Sequence, residues 1–273
     1  MKKRFLALLL VLTMVFSLMP AALAADTLSG SGTEDDPYLL ATAADLKAFR
    51  DMANAEASSK LCATLTADID LGGEAWTPIE PSSGYATDAY AGTFDGANYT
   101  IKGLSVNSTA SKNGVGLFGT INGATVKNLK VEGTVHSTSS PYVGGIVGRT
   151  QGSAVIDSCS FSGSVTSTKA SNASNGVGGI VGRVNAGTPT ITNSANLADV
   201  TGSGSVVGGI VGYGGSNKVT IENCYNTGAI SGQYYASGIC GNGTGKNGKT
   251  GRIANCYNIG TITATTDGAY YAG

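Results

Sequence analysis

The chain has 273 residues, of which 41 are glycine, 41% are hydrophobic and only 13% are charged, with a formal net charge of −1. That balance gives no electrostatic basis for a nucleic-acid or anionic-membrane partner. The hydrophobic fraction, and the regular spacing of Val and Ile, argue against disorder.

Met1-Lys2-Lys3-Arg4 opens the chain, an apolar run follows from Phe5 to about Met19, and Ala22-Leu23-Ala24 then offers a small-residue cleavage site. A basic start, a short apolar middle and an Ala-x-Ala site predict a secretory signal peptide over residues 1–24. The apolar run is shorter than the ~20 residues of a bilayer span, so no membrane span is expected in the mature chain. Residues 25–60 are read as a cap segment. Within them Thr42 and Asp45 form a capping-box pattern, and Leu46, Phe49 and Ala53 share one helical face, which predicts one amphipathic helix near residues 43–55. Strand-like runs follow at about Cys62–Leu71 and Gly92–Leu104.

From there the chain repeats itself. A glycine-bracketed tetrapeptide recurs as Gly116-Leu117-Phe118-Gly119, Gly145-Ile146-Val147-Gly148, Gly179-Ile180-Val181-Gly182, Gly209-Ile210-Val211-Gly212 and Gly238-Ile239-Cys240-Gly241, spaced by 29, 34, 30 and 29 residues. Each is followed by a second block, beginning at Val126, Ile156, Ile191, Ile221 and Ile253. One repeat holds too few apolar residues for a core of its own, so stacked copies must share one. The expected fold is therefore all-β. It is a parallel β-helix of ~30-residue repeats over residues 61–273, about six coils with three short strands each, its open end covered by the helix. Val126, Ile156, Ile191, Ile221 and Ile253 should stack as one inward ladder, and Val135, Val165, Val200, Ile230 and Ile262 as another. Asn128, Asn193, Asn223 and Asn255, with Ser158 in the second copy, read as a turn ladder, since Asn tolerates left-handed backbone. The third copy, Ala195-Asn196-Leu197-Ala198-Asp199, lacks the usual glycine, which predicts a local irregularity in that strand turn. The chain ends on Tyr270-Tyr271-Ala272-Gly273, echoing Tyr234-Tyr235-Ala236-Ser237-Gly238, so a further coil is expected beyond Gly273.

The five cysteines, Cys62, Cys159, Cys224, Cys240 and Cys256, include no CxxC pair. An odd count and inward positions predict buried free thiols, with Cys224 and Cys256 as stacked neighbours, and no zinc site. His136 is the one histidine and is read as an exposed loop residue, which leaves no metal cluster or catalytic triad built on histidine. Asp68 and Asp70 lie two apart in a strand-like run, a spacing that fits a solvated strand face, a calcium ligand pair or an acid pair. Tyrosine gives the one pointer to a ligand. Tyr225 and Tyr257 occupy matched positions, as do Tyr234-Tyr235 and Tyr270-Tyr271. Such columns either bind sugar rings or stabilise a sheet by stacking.

The lead-in GSGTEDDPYLL from Gly30, LTADIDLGG from Leu65, TPI from Thr77, FDGANYTIKGLSV from Phe94 and the five tetrapeptides resemble the GLUG-repeat family of bacterial exported proteins, over about Gly30 to Gly273. The resemblance implies a β-solenoid in a secreted or cell-surface protein, where such repeats accompany other modules, peptidases among them, without being the catalytic part. The expected function is a non-catalytic extracellular repeat module of a larger bacterial surface or secreted protein, acting in adhesion, in glycan binding or as a spacer. Its partners would be glycans or host or cell-surface proteins, and no cofactor is expected. The alternative is a carbohydrate-active β-helix enzyme.

Overall fold

The computed structural model describes residues 28–81, 89–169, 175–204, 206–215, 218–233, 235–243, 251–265 and 271–272. The signal peptide expected over residues 1–24 lies outside the described residues, as do Tyr234, Tyr270 and Gly273. Among the described residues every sheet pairing between named strands is parallel, and each strand pairs with the equivalent strand of the coils before and after it. Parallel neighbours need a long crossover. Here the remainder of each coil supplies it, which is the definition of a β-solenoid.

Each full coil contributes to four sheets, not the expected three. The coil that begins at Thr125 runs through Thr125–Lys127, Lys130–Ser137, Tyr142–Gly144 and Val147–Gln151, one strand in each of four sheets. We number these sheets 1 to 4 in that order. The extra strand arises because the glycine-bracketed tetrapeptide is a corner rather than a strand. Its first two residues turn the chain out of sheet 3, and its last two begin sheet 4.

Both expected ladders are in register. Val126, Ile156, Ile191, Ile221 and Ile253 pair successively in sheet 1, and Val135, Val165, Val200, Ile230 and Ile262 in sheet 2. The first four members of each are buried, and each fully buried aliphatic side chain contributes about 1.5–3 kcal/mol. Leu117, Ile146, Ile180 and Ile210, the second residues of four tetrapeptide corners, add a third buried column.

The helix spans Ala43–Ala55, as the capping box predicted. Thr42 Oγ1 accepts from the Asp45 amide, and Asp45 Oδ2 accepts from the Thr42 amide. Leu46, Phe49 and Ala53 are fully buried. Phe49 enters an aromatic cluster with Tyr38, Tyr90 and Phe94, at ring distances of 6.5, 6.2 and 5.8 Å, and Phe118 of the next coil extends it. The strand before the helix, Tyr38–Leu40, already pairs in sheet 1 with Ala63–Leu65. The helix is thus an excursion from the first coil that folds back over the end of the core.

Candidate functional site

Five corners give the solenoid its shape, and the glycines explain why. A Cβ on the first glycine would enter the interior: it would stand 2.2 Å from the Asn196 side chain at Gly179 and 2.3 Å from Asn258 at Gly238. At Gly212 and Gly148 a Cβ on the last glycine would strike the backbone of sheet 3, 2.4 Å from Val177 N and 2.1 Å from Val115 N. Sheets 3 and 4 therefore press backbone to backbone, a separation that no larger residue permits.

Two asparagine columns run along the axis. Asn128, Ser158, Asn193, Asn223 and Asn255 all hold left-handed backbone, with φ of 51–54°. Outside the core, Asn255 Nδ2 donates to Asn223 Oδ1 and Asn223 Nδ2 to Asn193 Oδ1, both at 3.2 Å, and Asn193 Nδ2 donates to Asp157 Oδ1 at 2.7 Å. Asp157 thereby closes the ladder beside Ser158, where the amide is missing. Burial alone would raise the Asp157 carboxyl. Hydrogen bonds from Thr192, Asn193 and Ser158, with the charge of Lys127, outweigh it and hold the group below its usual range.

The second column was not expected. Asn196 and Asn226 are fully buried, and Asn258 continues the row. Asn196 Nδ2 donates to Asn226 Oδ1 and Asn226 Nδ2 to Asn258 Oδ1, each at 2.6 Å, and each amide also reaches the carbonyl two residues on. In the two preceding coils this position holds Val131 and Phe161. These local turns break the sheet 2 strand in all three later coils. The irregularity expected over residues 195–199 is there, centred on Asn196, and it recurs in the two later coils, where Gly228 and Gly260 are present. The signal was legible as the Asn that stands two residues after Ser194, Cys224 and Cys256.

The tyrosines separate into two columns. Tyr225 and Tyr257 pair in sheet 2 with ring centroids 5.2 Å apart and planes within 4°. Tyr225 is half-buried and Tyr257 is 54% exposed. Their facing surfaces are taken up by each other, so edges and hydroxyls form the row offered to solvent. Tyr235 lies in sheet 3, in backbone register with Tyr271. The two columns therefore occupy different sheets and do not form one face.

Other expected residues behave as structure. Asp68 accepts from the Thr100 amide and faces Lys102, while Asp70 accepts from the Gly72 amide. Among the described residues no group of three or more His, Cys, Asp or Glu side chains is placed to hold a metal. His136 is not an exposed loop residue: it is half-buried inside the strand Lys130–Ser137, between Asn107 and Thr166. All five cysteines are free, but Cys240 and Cys256 are only half-buried, short of the full burial expected for all. Burial pushes the Cys159 and Cys224 thiols up to about 12. No helix among the described residues is long and apolar enough to cross a membrane. Sequence reading also passed over a column of sheet 4 in which Arg149 and Arg183 are partners.

A protein of Evansella cellulosilytica, provisionally named a Gly-rich membrane protein, is 34% identical over 57% of this chain, and halomucin of Haloquadratum walsbyi is 29% identical over 48%. The matched segments span 18% and 2% of those two proteins. A solved structure provisionally named an immunoglobulin A1 protease, from Bacteroides ovatus, aligns over 86% of both chains with a TM-score of 0.45 and 22% identity. Residues 139–166 match the family model described as the GLUG motif, and the same glycine corner is built in four other coils.

Proposed function

We propose that this chain is a non-catalytic extracellular module that binds glycans and so serves adhesion by a larger surface or secreted protein. The observation that carries the reading is the in-register pair Tyr225 and Tyr257, with rings 5.2 Å apart on successive coils. A solenoid repeats its outward groups at a fixed interval, which suits a ligand that also repeats. Hydroxyls and ring edges in a row supply hydrogen bonds and apolar contact to such a chain. The signal-peptide pattern of residues 1–24 supports export.

The test is binding of the full chain to an array of neutral and acidic oligosaccharides, repeated with Tyr225→Ala and Tyr257→Ala combined. Binding that the double substitution weakens is the expected result. Retention of no glycan at all would leave the module a spacer. Turnover of a polysaccharide that Asp70→Asn abolishes would overturn the non-catalytic reading.

A further inference from the structure

The coil that begins at Ala63 takes a short cut, and the short cut leaves a cleft. Ala75 pairs with Ser105 of the next coil's sheet 2 strand, and Ile79 pairs with Phe118 of sheet 4. The entering chain thus crosses from one sheet to the other in the three residues 76–78, where the next coil uses the twelve residues 106–117. Those twelve carry the sheet 2 strand on to Ser108 and then turn through Val115, which pairs with Val143 of sheet 3. The two segments part after the bond from the Trp76 amide to the Ser105 carbonyl, 2.7 Å long. The wedge between them is a cavity of about 280 Å³, bordered by Trp76, Pro78, Val106, Asn107, Thr109 and Ala110.

Val106 is buried in the column of Val135, and with Trp76 and Pro78 it makes an apolar floor. The indole is held in place. Its Nε1 donates to the Leu117 carbonyl at 3.1 Å, and the Arg50 guanidinium lies 4.8 Å from the ring centre. Thr77, Asn107 and Thr109 are exposed around that floor. The backbone of Asn107 adds a fixed polar pair. Successive residues of a parallel strand direct amide and carbonyl to opposite neighbours. Ser105 faces the entering chain, where its carbonyl accepts from Trp76, and Ser108 faces the next coil, where its carbonyl accepts from Thr138 at 3.0 Å. Asn107 therefore turns both its amide and its carbonyl into the wedge, and neither has a backbone partner there among the described residues.

We propose that this wedge is a binding site for one pyranose unit at the end of a glycan chain. A sugar ring carries C–H groups on its faces and hydroxyls around its rim, which suits an apolar floor with polar groups about it. The Asn107 amide would donate to one hydroxyl and its carbonyl accept from another, at positions that the strand fixes. The cavity lies just under the roughly 300 Å³ at which drug-sized sites begin, and it is closed where Trp76 bonds Ser105, so it takes a chain end rather than a continuous chain. An extended peptide fits less well. Asn107 alone faces the wedge between Ser105 and the strand end at Ser108, and strand addition needs a ladder of such groups. That the ligand is a saccharide rests on the glycan-binding reading above; that it enters here rests on the cleft, which lies four coils before Tyr225.

Trp76 is the chain's single tryptophan, so its fluorescence reports on this cleft and not on the tyrosine row. The experiment is titration of the full chain with the methyl glycosides of glucose, galactose, mannose, N-acetylglucosamine and glucuronic acid, while thermal melting reports folding. At least one should change the tryptophan emission saturably, with a Kd of about 1 mM for a ligand of this size. Ala110→Phe, at an exposed position bordering the cleft, should abolish that response. Asn107→Pro removes an amide that faces the wedge and spares the bonds to the next coil, so the strand should hold and the Kd should rise about tenfold. If the proline variant melts early, Ala110→Phe decides. No saturable response to any of these glycosides, or a response unchanged in folded Ala110→Phe, would overturn the proposal. The same response to an acetylated tetra-alanine peptide would overturn the saccharide assignment. Tyr225→Ala with Tyr257→Ala should leave the tryptophan response intact. Array binding lost in that tyrosine variant, with no tryptophan response to any glycoside, would sink this site and leave the glycan reading standing; failure of both sinks both.

Discussion

Replacing Asn226 by Ala probes the interior ladder most directly. Asn226 Oδ1 accepts from Asn196, and its Nδ2 donates to Asn258 Oδ1 and to the Gly228 carbonyl, at 2.6, 2.6 and 2.9 Å. Three buried bonds at about 1 kcal/mol each give about 3 kcal/mol. The stranded partners add less than a full desolvation penalty, because Asn196 Nδ2 keeps the Ala198 carbonyl and Asn258 Oδ1 keeps the Gly260 amide. A total of about 3–4 kcal/mol follows, worth about 10 °C in melting temperature for a chain of this size. Urea unfolding should show that loss, and hydrogen exchange should localise it to the amides of Ala229 and Ile230. Combined with Asn196→Ala, the loss should fall short of additive by about 1 kcal/mol, since the bond between the two amides can be removed only once. A loss below about 1 kcal/mol, or strict additivity, would show that the buried amides do not act as a connected row.

Three further outcomes follow from the same geometry. Gly212→Ala places a methyl 2.4 Å from Val177 N, and denaturant titration should show a cost of about 1–3 kcal/mol from overpacking, whereas Gly123→Ala, with open space around it but φ of 68°, should cost about 1 kcal/mol from backbone strain alone. Asp157 is held below its usual range in the folded chain, so its stability contribution is present above the unfolded value of about 3.9 and is lost as pH falls through the lowered one; Asp157→Asn should destabilise at pH 7 and flatten the acid limb of a stability-versus-pH curve. Cys159 and Cys224, with thiols pushed up to about 12 by burial, should resist a thiol reagent at pH 8 in the native chain, while all five react in denaturant; rapid native labelling at either position would contradict the burial.

The fold was legible because a solenoid writes its core as a period. Val126 through Ile253 and Val135 through Ile262 occupy matched block positions, and parallel in-register stacking is the arrangement that buries both rows at once. The helix was legible because its capping box and its apolar face are local. The candidate site was legible only in part: matched spacing placed Tyr225 against Tyr257, but a period along the axis cannot show which sheet a residue occupies, so it could not separate Tyr225 from Tyr235.

By itself, then, the sequence determined what repeats: the parallel coil, the two aliphatic ladders, the left-handed asparagine column and the helix over the end. Tertiary structure decided what faces what around the coil. The tetrapeptide became a corner, adding a fourth strand, because its two glycines meet different neighbours, an interior side chain at Gly179 and the sheet 3 backbone at Gly212. Asn196 and Asn226 turned inward because the chain bends at that point and buries each amide against the next. Arg149 met Tyr142, and Arg183 met both Tyr142 and Tyr213, because the corner folds sheet 3 against sheet 4. These contacts depend on the angle at each corner, and that angle is set by close packing between strands rather than by any spacing along the chain.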